Sequence, residues 1–344
     1  LIGHWRGGVA MAAIGACAGF GAICGSSLAT AATMGQVALP ELRRLHYHPA
    51  LATGALAAGG TLGILIPPSV VLVVYAILSE QNIAKLFMAA FVPGILAMIG
   101  YLIAIAIYVR IKPDAGPANV RRSIPERLRA LREVWPVAVL FVVVIGGIYG
   151  GIFTPTEAAA MSAAYAFFVS VYVYKDLTLK QVPKVLLDSA NLSAMILYII
   201  TNAVLFSFLL TSEQIPQSLA AWINDMGLSP WMFLMVVNVL LLIAGNFMEP
   251  SSILLITAPI LFPVAMKLGI DPIHLGILMT VNMEIGMITP PVGLNLYVAS
   301  GIANMGLTEV TKACAPWILV MLLFLLLITY VPAITLWLPN LLMP

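Results

Sequence analysis

The chain alternates long apolar stretches with short polar loops. Several stretches carry no charge, apart from a flanking residue or two, and approach or exceed the roughly 20 residues that a membrane-spanning helix needs. They are residues 86–109, 135–153, 158–174, 192–212 and 313–338. Hydrophobic residues make up 62% of the chain and charged residues only 9%, whereas a soluble domain carries roughly 25% charged residues. The pattern therefore predicts an all-α polytopic membrane protein.

Two other apolar regions are long for a single span, and a polar segment interrupts each of them. Residues 9–39 contain CGSSLAT (24–30), and residues 230–266 contain MEPSSI (248–253). Non-helical backbone is tolerated at membrane depth only where protein or a water-filled cavity covers it. We therefore predict two re-entrant hairpins, each with its polar tip at depth.

Each hairpin precedes an apolar region that contains two adjacent prolines. Pro67-Pro68 lie within residues 50–79, and Pro290-Pro291 lie within residues 272–302. Proline inside a helix removes a backbone donor and clashes with the preceding turn, at a cost of about 3 kcal/mol or more. We predict two broken helices, whose freed carbonyls suit Na⁺ and whose half-helix N-termini suit an anion. A purely structural kink is the alternative.

The two broken regions align as an internal repeat. Matching residues recur at a spacing of 223: Pro40 with Pro263, Pro49 with Pro272, Gly63 with Gly286, and Pro67-Pro68 with Pro290-Pro291. Ser26-Ser27 match Ser251-Ser252 at a spacing of 225, which requires a two-residue insertion. Basic loops flank the first hairpin, the loop at 213–228 contains no Lys or Arg, and five crossings separate the hairpins. Because basic loops stay on the cytoplasmic side, the second copy is expected to be inverted.

The repeat divides the chain into four predicted parts. Residues 1–85 form the first transport-domain repeat, with hairpin 9–39 and broken helix 50–79. Residues 86–228 form scaffold helices, with interfacial arm helices near 118–134 and 177–190. Residues 229–303 form the second transport-domain repeat, with hairpin 230–266 and broken helix 272–302. Residues 304–344 form a C-terminal transmembrane helix.

The polar residues inside the apolar regions are candidates for function. Glu249 and Glu284 are intramembrane carboxylates, which indicate function by default, although either could have a structural role at a hydrated rim. Asn295 and Ser300 follow the second Pro-Pro pair and could contact substrate or form interhelical hydrogen bonds. TPTE at 154–157 fits a capping box, so Glu157 is expected to be structural.

Several classes of protein lack support in the sequence. The chain contains no HExxH, no GxSxG and no phosphate loop, so we predict that it is neither an enzyme nor an ATP-driven pump. A channel is the closest rival within transport. The three cysteines lack CxxC spacing and give no indication of a disulfide or metal site. We expect His46, His48 and His274 to lie in loops. No nucleic-acid partner is expected, because the basic residues lie in short loops.

The chain resembles the large membrane subunit of tripartite ATP-independent periplasmic (TRAP) transporters. The matching stretches include GHWRGGVA, AGFGAICGSSLATAATMG, GGTLGILIPPS, GGIYGGIFTPTEAAA and the region from ITAPILFP to ASGIA, and they extend from residue 3 to about residue 302. The chain begins without Met, and we expect that the N-terminal scaffold helices of the family are missing.

The resemblance implies an elevator-type, Na⁺-driven transporter of a small organic acid (a C4-dicarboxylate, a keto acid or a sugar acid) in the bacterial inner membrane. It also implies a small membrane subunit and a periplasmic binding protein as partners, with Na⁺ as coupling ion and no other cofactor; a stand-alone Na⁺/carboxylate symporter is the alternative. The cation-site role carries over to Gly25, Ser26, Ser27, Gly60, Thr61 and Gly63, and to Glu249, Pro250, Ser251, Ser252, Asn282, Glu284, Gly286 and Thr289. Thr61 is matched by Glu284 and Gly25 by Pro250, so the two sites need not be equivalent.

Overall fold

A computed structural model describes residues 2–119, 123, 125–126, 135–214, 218, 221 and 229–343. The chain divides into two compact units, one formed by Leu1–Arg122 with Glu213–Pro344 and the other by Ser123–Ser212. The described residues form helices and no strands, which confirms the predicted all-α class. The predicted arm helix near 118–134 falls mostly outside the described residues.

The first unit contains eleven of the described α-helices. They are α1 (Gly8–Cys24), α2 (Ser27–Arg44), α3 (Pro49–Leu65), α4 (Val70–Ser79), α5 (Ile83–Ile111), α9 (Pro230–Gly245), α10 (Pro250–Lys267), α11 (Pro272–Met287), α12 (Leu294–Ala303), α13 (Leu307–Tyr330) and α14 (Ala333–Leu342). A short 3₁₀ turn at Pro113–Ala115 follows α5.

The second unit contains three longer helical segments. They are α6 (Trp135–Phe141), which continues through a π-helical turn (Val142–Gly146) to Gly147–Tyr149; α7 (Pro155–Phe168), which continues as a π-helical turn (Val169–Val173); and α8 (Val182–Ser212). The Tyr165 hydroxyl donates to the Pro136 carbonyl at 3.0 Å and so joins α7 to α6.

Five helices of the described part are long and apolar enough to cross a membrane. They are Pro49–Ser79, taken across its break, Ile83–Ile111, Pro155–Val173, Pro250–Lys267 and Leu307–Tyr330. On α5, Ile99, Ile103 and Ile107 are all exposed at a spacing of four residues, so they form one continuous apolar stripe. Such a stripe is typical of a surface that faces lipid.

The two predicted breaks are present at the Pro-Pro pairs. The helix α3 ends at Leu65 and α4 begins at Val70, while α11 ends at Met287 and α12 begins at Leu294. Both half-helices after the breaks have ten residues, and both end at a residue with positive φ, Glu80 and Asn304. The prediction of two Pro-Pro-broken helices is confirmed.

The start of each broken helix is built in the same way. His48 and Asp271 are the N-caps of α3 and α11, and proline occupies the first turn of both helices. The His48 ring accepts from the Ala50 amide at 3.2 Å, and the Asp271 carboxylate accepts from the Ile273 amide at 2.8 Å. Because the caps keep the spacing of 223, the repeat is visible in local structure as well as in proline positions.

The two broken helices run in opposite directions. The helix α2 turns back through residues 45–48 and packs antiparallel to α3, because its beginning lies against Gly63, near the end of α3. The same helix runs parallel to α12, since Ser27 bonds Asn295 at their beginnings and Arg43 bonds the Ala303 carbonyl at their ends. Opposite directions are what an inverted repeat requires. The re-entrant character of the hairpins in a membrane stays a prediction.

Glycines let each hairpin touch its broken helix backbone to backbone. A Cβ on Gly21 of α1 would lie 2.5 Å from the Cα of Gly63, and a Cβ on Gly286 would lie 2.4 Å from the Cα of Gly245 in α9. Gly63 and Gly286 each precede their Pro-Pro pair by four residues. Each repeat therefore holds its break against its own hairpin through a glycine pair.

Two helical segments differ from the predicted boundaries. The predicted arm helix at 177–190 and the crossing at 192–212 are one helix, α8, because no Gly or Pro interrupts the chain after Pro183 in its first turn. The C-terminal helix predicted across 313–338 is two helices, α13 and α14, separated at Val331-Pro332. Proline cannot donate the amide that would continue α13.

The helix α5 also packs differently from its predicted assignment to the scaffold. It contacts both broken helices, for example through the Tyr101 hydroxyl, 3.0 Å from the Thr61 hydroxyl of α3. The compact unit that contains the repeats extends to Arg122, not to residue 85. Burial of Tyr101 and Ile105 against the repeat explains why α5 groups with it.

The glycine pairs generate the first test. We expect Gly286→Ala to lower the stability of the purified protein by about 1–3 kcal/mol, because the new methyl group would overlap the Gly245 backbone. Gly301→Ala is the matched control, since no atom lies within 4 Å of a Cβ at that helical position. Melting temperatures in detergent compare the two variants, and equal temperatures would contradict the close crossing.

Candidate functional site

The first hairpin tip lies against the first helix break. Gly25 has a positive φ of 65°, and a Cβ there would meet the Pro68 carbonyl oxygen at 3.0 Å. Ser26 is the N-cap of α2, and its carbonyl oxygen and the Thr30 hydroxyl both lie beside Gly63. The Thr30 hydroxyl is buried and has no hydrogen-bond partner among the described residues. Several oxygens of different chain segments therefore converge at this tip.

Asn295 of the second repeat completes this tip. Its amide nitrogen donates to the Ser27 hydroxyl at 2.7 Å and to the Ala57 carbonyl at 3.4 Å. Its amide oxygen is buried and, among the described residues, has no hydrogen-bond partner. Gly60 leaves room for this arrangement, because a Cβ there would lie 2.6 Å from the Ala31 side chain and 3.1 Å from the Asn295 nitrogen. The cluster at the first tip thus contains residues of both repeats.

The second hairpin tip touches the second break in an equivalent way. The Gly293 amide, just after Pro290-Pro291, donates to the Asn246 carbonyl at 3.2 Å. The side-chain oxygen of Asn246 is buried without a hydrogen-bond partner in the described part of the chain. Thr289 lies in the break and donates its hydroxyl to the Ile285 carbonyl at 2.6 Å. Asn246 is thus an acceptor that the sequence pattern did not single out.

Glu249 caps the return helix of the second hairpin. Its carboxylate accepts from the Ser252 amide at 3.2 Å and from the Ser251 hydroxyl at 3.0 Å. Pro250 occupies the first position of α10. The geometry is that of a helix N-cap, in which a side-chain oxygen satisfies an amide of the first turn. The Glu249 carboxylate is therefore already occupied by local hydrogen bonds.

The caps correct the predicted alignment of the tips. Ser26 caps α2 and Glu249 caps α10, and these residues are 223 positions apart, like the prolines. The match of Ser26-Ser27 with Ser251-Ser252, which needed a two-residue insertion, is wrong. The second turn is longer only because α9 ends at Gly245, which leaves four residues before α10 where the first hairpin has two.

Other predicted site residues are held by hydrogen bonds within or between helices. Asn282 faces α9 and donates to the Asn238 side chain at 2.8 Å, which in turn donates to the Thr329 hydroxyl at 2.9 Å. Ser300 donates its hydroxyl to the Met305 carbonyl at 2.7 Å, at the end of α12. Thr61 bonds the Ala58 carbonyl and Tyr101. These hydrogen bonds join helices or finish turns.

The residues that the sequence did not single out have a simple common signal. Thr30 and Asn246 are polar residues within one helical turn of a predicted tip, and Tyr101 is a polar residue inside an otherwise apolar helix.

His274 was expected in a loop, which is wrong: it is buried in the first turn of α11 and bonds Thr335 at 2.8 Å. The predicted capping box of Thr154 and Glu157 is confirmed by both of its hydrogen bonds.

The arrangement suits a small hard cation better than a transition metal. Buried oxygens without partners lie at both tips, on Thr30, Asn295 and Asn246. Hard cations take oxygen ligands from carbonyls, hydroxyls and amides. No group of three or more His, Cys, Asp or Glu residues that could hold a metal occurs in the described ranges. Fold and site together define a helical membrane transporter with broken helices.

Comparison with known proteins gives the family. The DctM component of tripartite ATP-independent periplasmic transporters matches residues 1–334. The C4-dicarboxylate TRAP transporter large permease protein DctM of Rhodobacter capsulatus is 56% identical over 99% of this chain and 80% of its own length. The protein of the same description from Pseudomonas aeruginosa is 53% identical over 98% and 79%. The sialic acid TRAP transporter large permease protein SiaM of Vibrio cholerae is 36% identical over 99% and 79%.

The fold also matches a solved transporter. The Alcanivorax borkumensis YdaH transporter superposes with a TM-score of 0.61 at 16% identity, over 94% of this chain and 83% of that one. The chain belongs to the DctM family of TRAP transporter large permeases. The family resemblance and the prediction that the chain is not an enzyme are both confirmed.

The cap at Glu249 generates the second test. We expect Glu249→Ala to lower stability by about 1 kcal/mol, the usual cost of losing an N-cap. Glu249→Ser should keep it, because serine fills the equivalent position in the first repeat. Melting temperatures measure the cap, and uptake against Na⁺ concentration is recorded for both variants. If serine restores stability and yet Na⁺ dependence is lost in both, the carboxylate does more than cap the helix.

Proposed function

We propose that this chain imports a C4-dicarboxylate by a Na⁺-coupled elevator movement, as the large membrane subunit of a transporter in the bacterial inner membrane. A small membrane subunit and a periplasmic binding protein that delivers the substrate complete the system. The single observation that carries the cation part is the set of buried, unpartnered oxygens at the two tips.

The choice of substrate class rests on relatives. Three relatives described as C4-dicarboxylate permeases are 56%, 53% and 45% identical to this chain, whereas the sialic acid permease of Vibrio cholerae is 36% identical. Transport substrates differ among these proteins while the helical frame is shared. The higher identity therefore favours a C4-dicarboxylate over a sugar acid.

Energetics support a cation at the first tip. A buried hydroxyl or amide oxygen without a partner costs about 1–3 kcal/mol. The Thr30 hydroxyl and the Asn295 amide oxygen are two such oxygens, and a cation would satisfy them. The Ser26 carbonyl lies beside the Thr30 hydroxyl at Gly63; it accepts from the Thr30 amide at 3.0 Å and keeps a second lone pair for a cation. At the second tip the Asn246 oxygen would have the same use.

The substrate carboxylate has a candidate place at the beginning of α12. Gly293 is the N-cap of this helix and supplies no side-chain oxygen, so the first amides lack a side-chain cap. Helix N-termini favour anions through free amides and the helix dipole. Asn295 and Ser27 lie beside this end, and the Ser27 hydroxyl, which accepts from Asn295, keeps its own proton for donation. An anion here would lie next to the proposed cation.

The first unit supports movement of both tips as one body. The two hairpins, both broken helices and α5 all belong to this unit. Inter-repeat hydrogen bonds, such as Ser27 with Asn295 and Tyr75 with the Pro272 carbonyl, join the copies. A stand-alone Na⁺/carboxylate symporter would use a similar arrangement. Uptake without any binding protein would favour that second function.

The Thr30 hydroxyl tests the cation site. We expect that Thr30→Val keeps or raises stability without Na⁺, because an unpaired buried hydroxyl is replaced by a methyl group. Na⁺ should then stabilise the variant less than the wild type, since the loss of one ligand weakens Na⁺ binding by roughly tenfold. The measurement is melting temperature against Na⁺ concentration, with choline as the replacement cation.

Thr280→Val is the matched control for this experiment. It makes the same change at a fully buried position whose hydroxyl donates within its own helix to the Gly276 carbonyl. The control should respond to Na⁺ like the wild type. Equal Na⁺ responses of Thr30→Val and the wild type would exclude Thr30 as a ligand.

A further inference from the structure

The helices α5 and α13 pack against each other and run in opposite directions. The His48 amide, at the beginning of α3, donates to the Ala115 carbonyl, just after α5, at 2.9 Å. The Thr53 hydroxyl, in the second turn of α3, donates to the Met305 sulfur, just before α13, at 3.3 Å. The end of α5 and the beginning of α13 therefore both lie at the beginning of α3.

The contact between the two helices involves a ring pair and a glycine. The rings of Tyr101 and Trp317 meet edge to face, with centroids 6.3 Å apart. A Cβ on Gly100 would lie 3.1 Å from the Val320 side chain. These residues define the direction in which each helix faces the other.

Exposed apolar side chains line one side of this pair. They recur every four residues along both helices, and each is at least 40% exposed: Ile99, Ile103 and Ile107 on α5, and Leu319 and Leu323 on α13. With about 100° between successive residues, both rows lie about 110° from the helix contact, in the same rotational sense. Because the helices are antiparallel, equal rotations place both rows on the same side. The pair therefore presents one continuous apolar surface.

An exposed basic residue ends each row. Arg110 follows Ile103 by seven residues, and Lys312 precedes Leu319 by seven, so each cation shares the helix face of its row. Both cations lie at the end of the pair that is close to the beginning of α3. Because basic residues concentrate on the cytoplasmic side of membrane proteins, this end of the surface is the cytoplasmic one.

Neither cation is neutralised by a neighbouring acid. Asp114 and Glu309 are the acidic residues nearest to them in sequence, and neither forms an ion pair with them in the described part of the chain. The helix α5 contains no acidic residue, and Glu309 is the only one in α13. Unpaired cations at one end of apolar rows fit a ligand that joins an anionic group to apolar chains.

The depth of the cations matches that of a lipid headgroup. The Tyr101 hydroxyl bonds Thr61 of the first broken helix, and such helices are broken near the bilayer midplane. Arg110 is nine residues further along α5, or about 14 Å, which is close to half of a hydrocarbon core of about 30 Å. Lys312 is about 8 Å from Trp317 along α13, and a long lysine side chain reaches the interface from such a depth.

We propose that the exposed surface of α5 and α13 binds an anionic phospholipid of the cytoplasmic leaflet. The lipid phosphate contacts Arg110 and Lys312, and the acyl chains lie along the isoleucine and leucine rows. Arginine suits this role because its guanidinium group binds phosphate through two parallel hydrogen bonds. A zwitterionic lipid binds less tightly, since its own positive charge offsets the attraction between its phosphate and the two cations.

Native mass spectrometry of the purified protein measures the binding. The wild type should bind phosphatidylglycerol more tightly than phosphatidylcholine. Arg110→Gln and Lys312→Gln should each weaken phosphatidylglycerol binding by roughly fivefold, and the double variant by roughly 25-fold, the effect expected of basic residues at an anionic headgroup. Glycerol phosphate, which lacks acyl chains, should not compete. Equal binding of both lipids by the wild type would overturn the proposal, as would unchanged binding in the double variant or competition by glycerol phosphate.

Arg6→Gln is the matched control. Arg6 is exposed at the same depth, because the neighbouring Gly7 packs on the last turns of α5, where a Cβ would lie 3.0 Å from the Val109 side chain. Val109 is two residues from Ile107 and so faces the opposite side of α5. The control removes one positive charge away from the rows and should bind phosphatidylglycerol like the wild type. A loss as large as that of Arg110→Gln would indicate general charge attraction and overturn the site.

A photoreactive side chain at position 103 tests what covers the apolar rows in the membrane. In native membranes, Ile103→p-benzoylphenylalanine should form adducts that add the mass of a phospholipid. Adducts with another protein, with a second copy or with another part of this chain would overturn the proposal. Lipid binding requires neither Na⁺ nor substrate, so the outcome of both measurements is independent of the proposed Na⁺ coupling.

Discussion

The close contact between a hairpin glycine and a broken-helix glycine is the constraint on which the rest of the site depends. A Pro-Pro pair leaves backbone groups without helical partners, and such groups must be covered or satisfied inside a membrane. Gly63 against Gly21, and Gly286 against Gly245, bring a hairpin end to each break. Because no side chain separates the backbones, the carbonyls and hydroxyls of the tips converge on the breaks.

Equivalent construction does not make the two copies identical. The first tip is closed by Ser26 and receives Asn295 from the other repeat, whereas the second is closed by Glu249 and has Asn246 at its turn. At the centre, Thr61 in one copy bonds Tyr101, and it corresponds to the fully buried Glu284 in the other. The two copies share the broken helices and the glycine contacts, and they differ in the polar residues at the tips and at the centre.

The sequence predicts the frame well because its signals are local. The helices can be predicted from the length of the apolar stretches, and the breaks from the Pro-Pro pairs. The recurring prolines are enough to predict the repeat that relates the two breaks. The register of the tips was mispredicted because a Ser-Ser match looks stronger than a Ser-Glu match, although both Ser26 and Glu249 serve as N-caps. The packing of α5 through Tyr101 and the Ser27–Asn295 bond depend on contacts between distant segments, which no local pattern contains.

We propose that oxygens at the two breaks bind Na⁺ and couple it to movement of an organic acid. The most direct measurement is uptake of a labelled C4-dicarboxylate into liposomes that contain this chain with its small membrane subunit and binding protein. An inward Na⁺ gradient should drive accumulation, and replacing Na⁺ by K⁺ on both sides should abolish it, without any requirement for ATP. Accumulation that continues unchanged in K⁺ would contradict Na⁺ coupling.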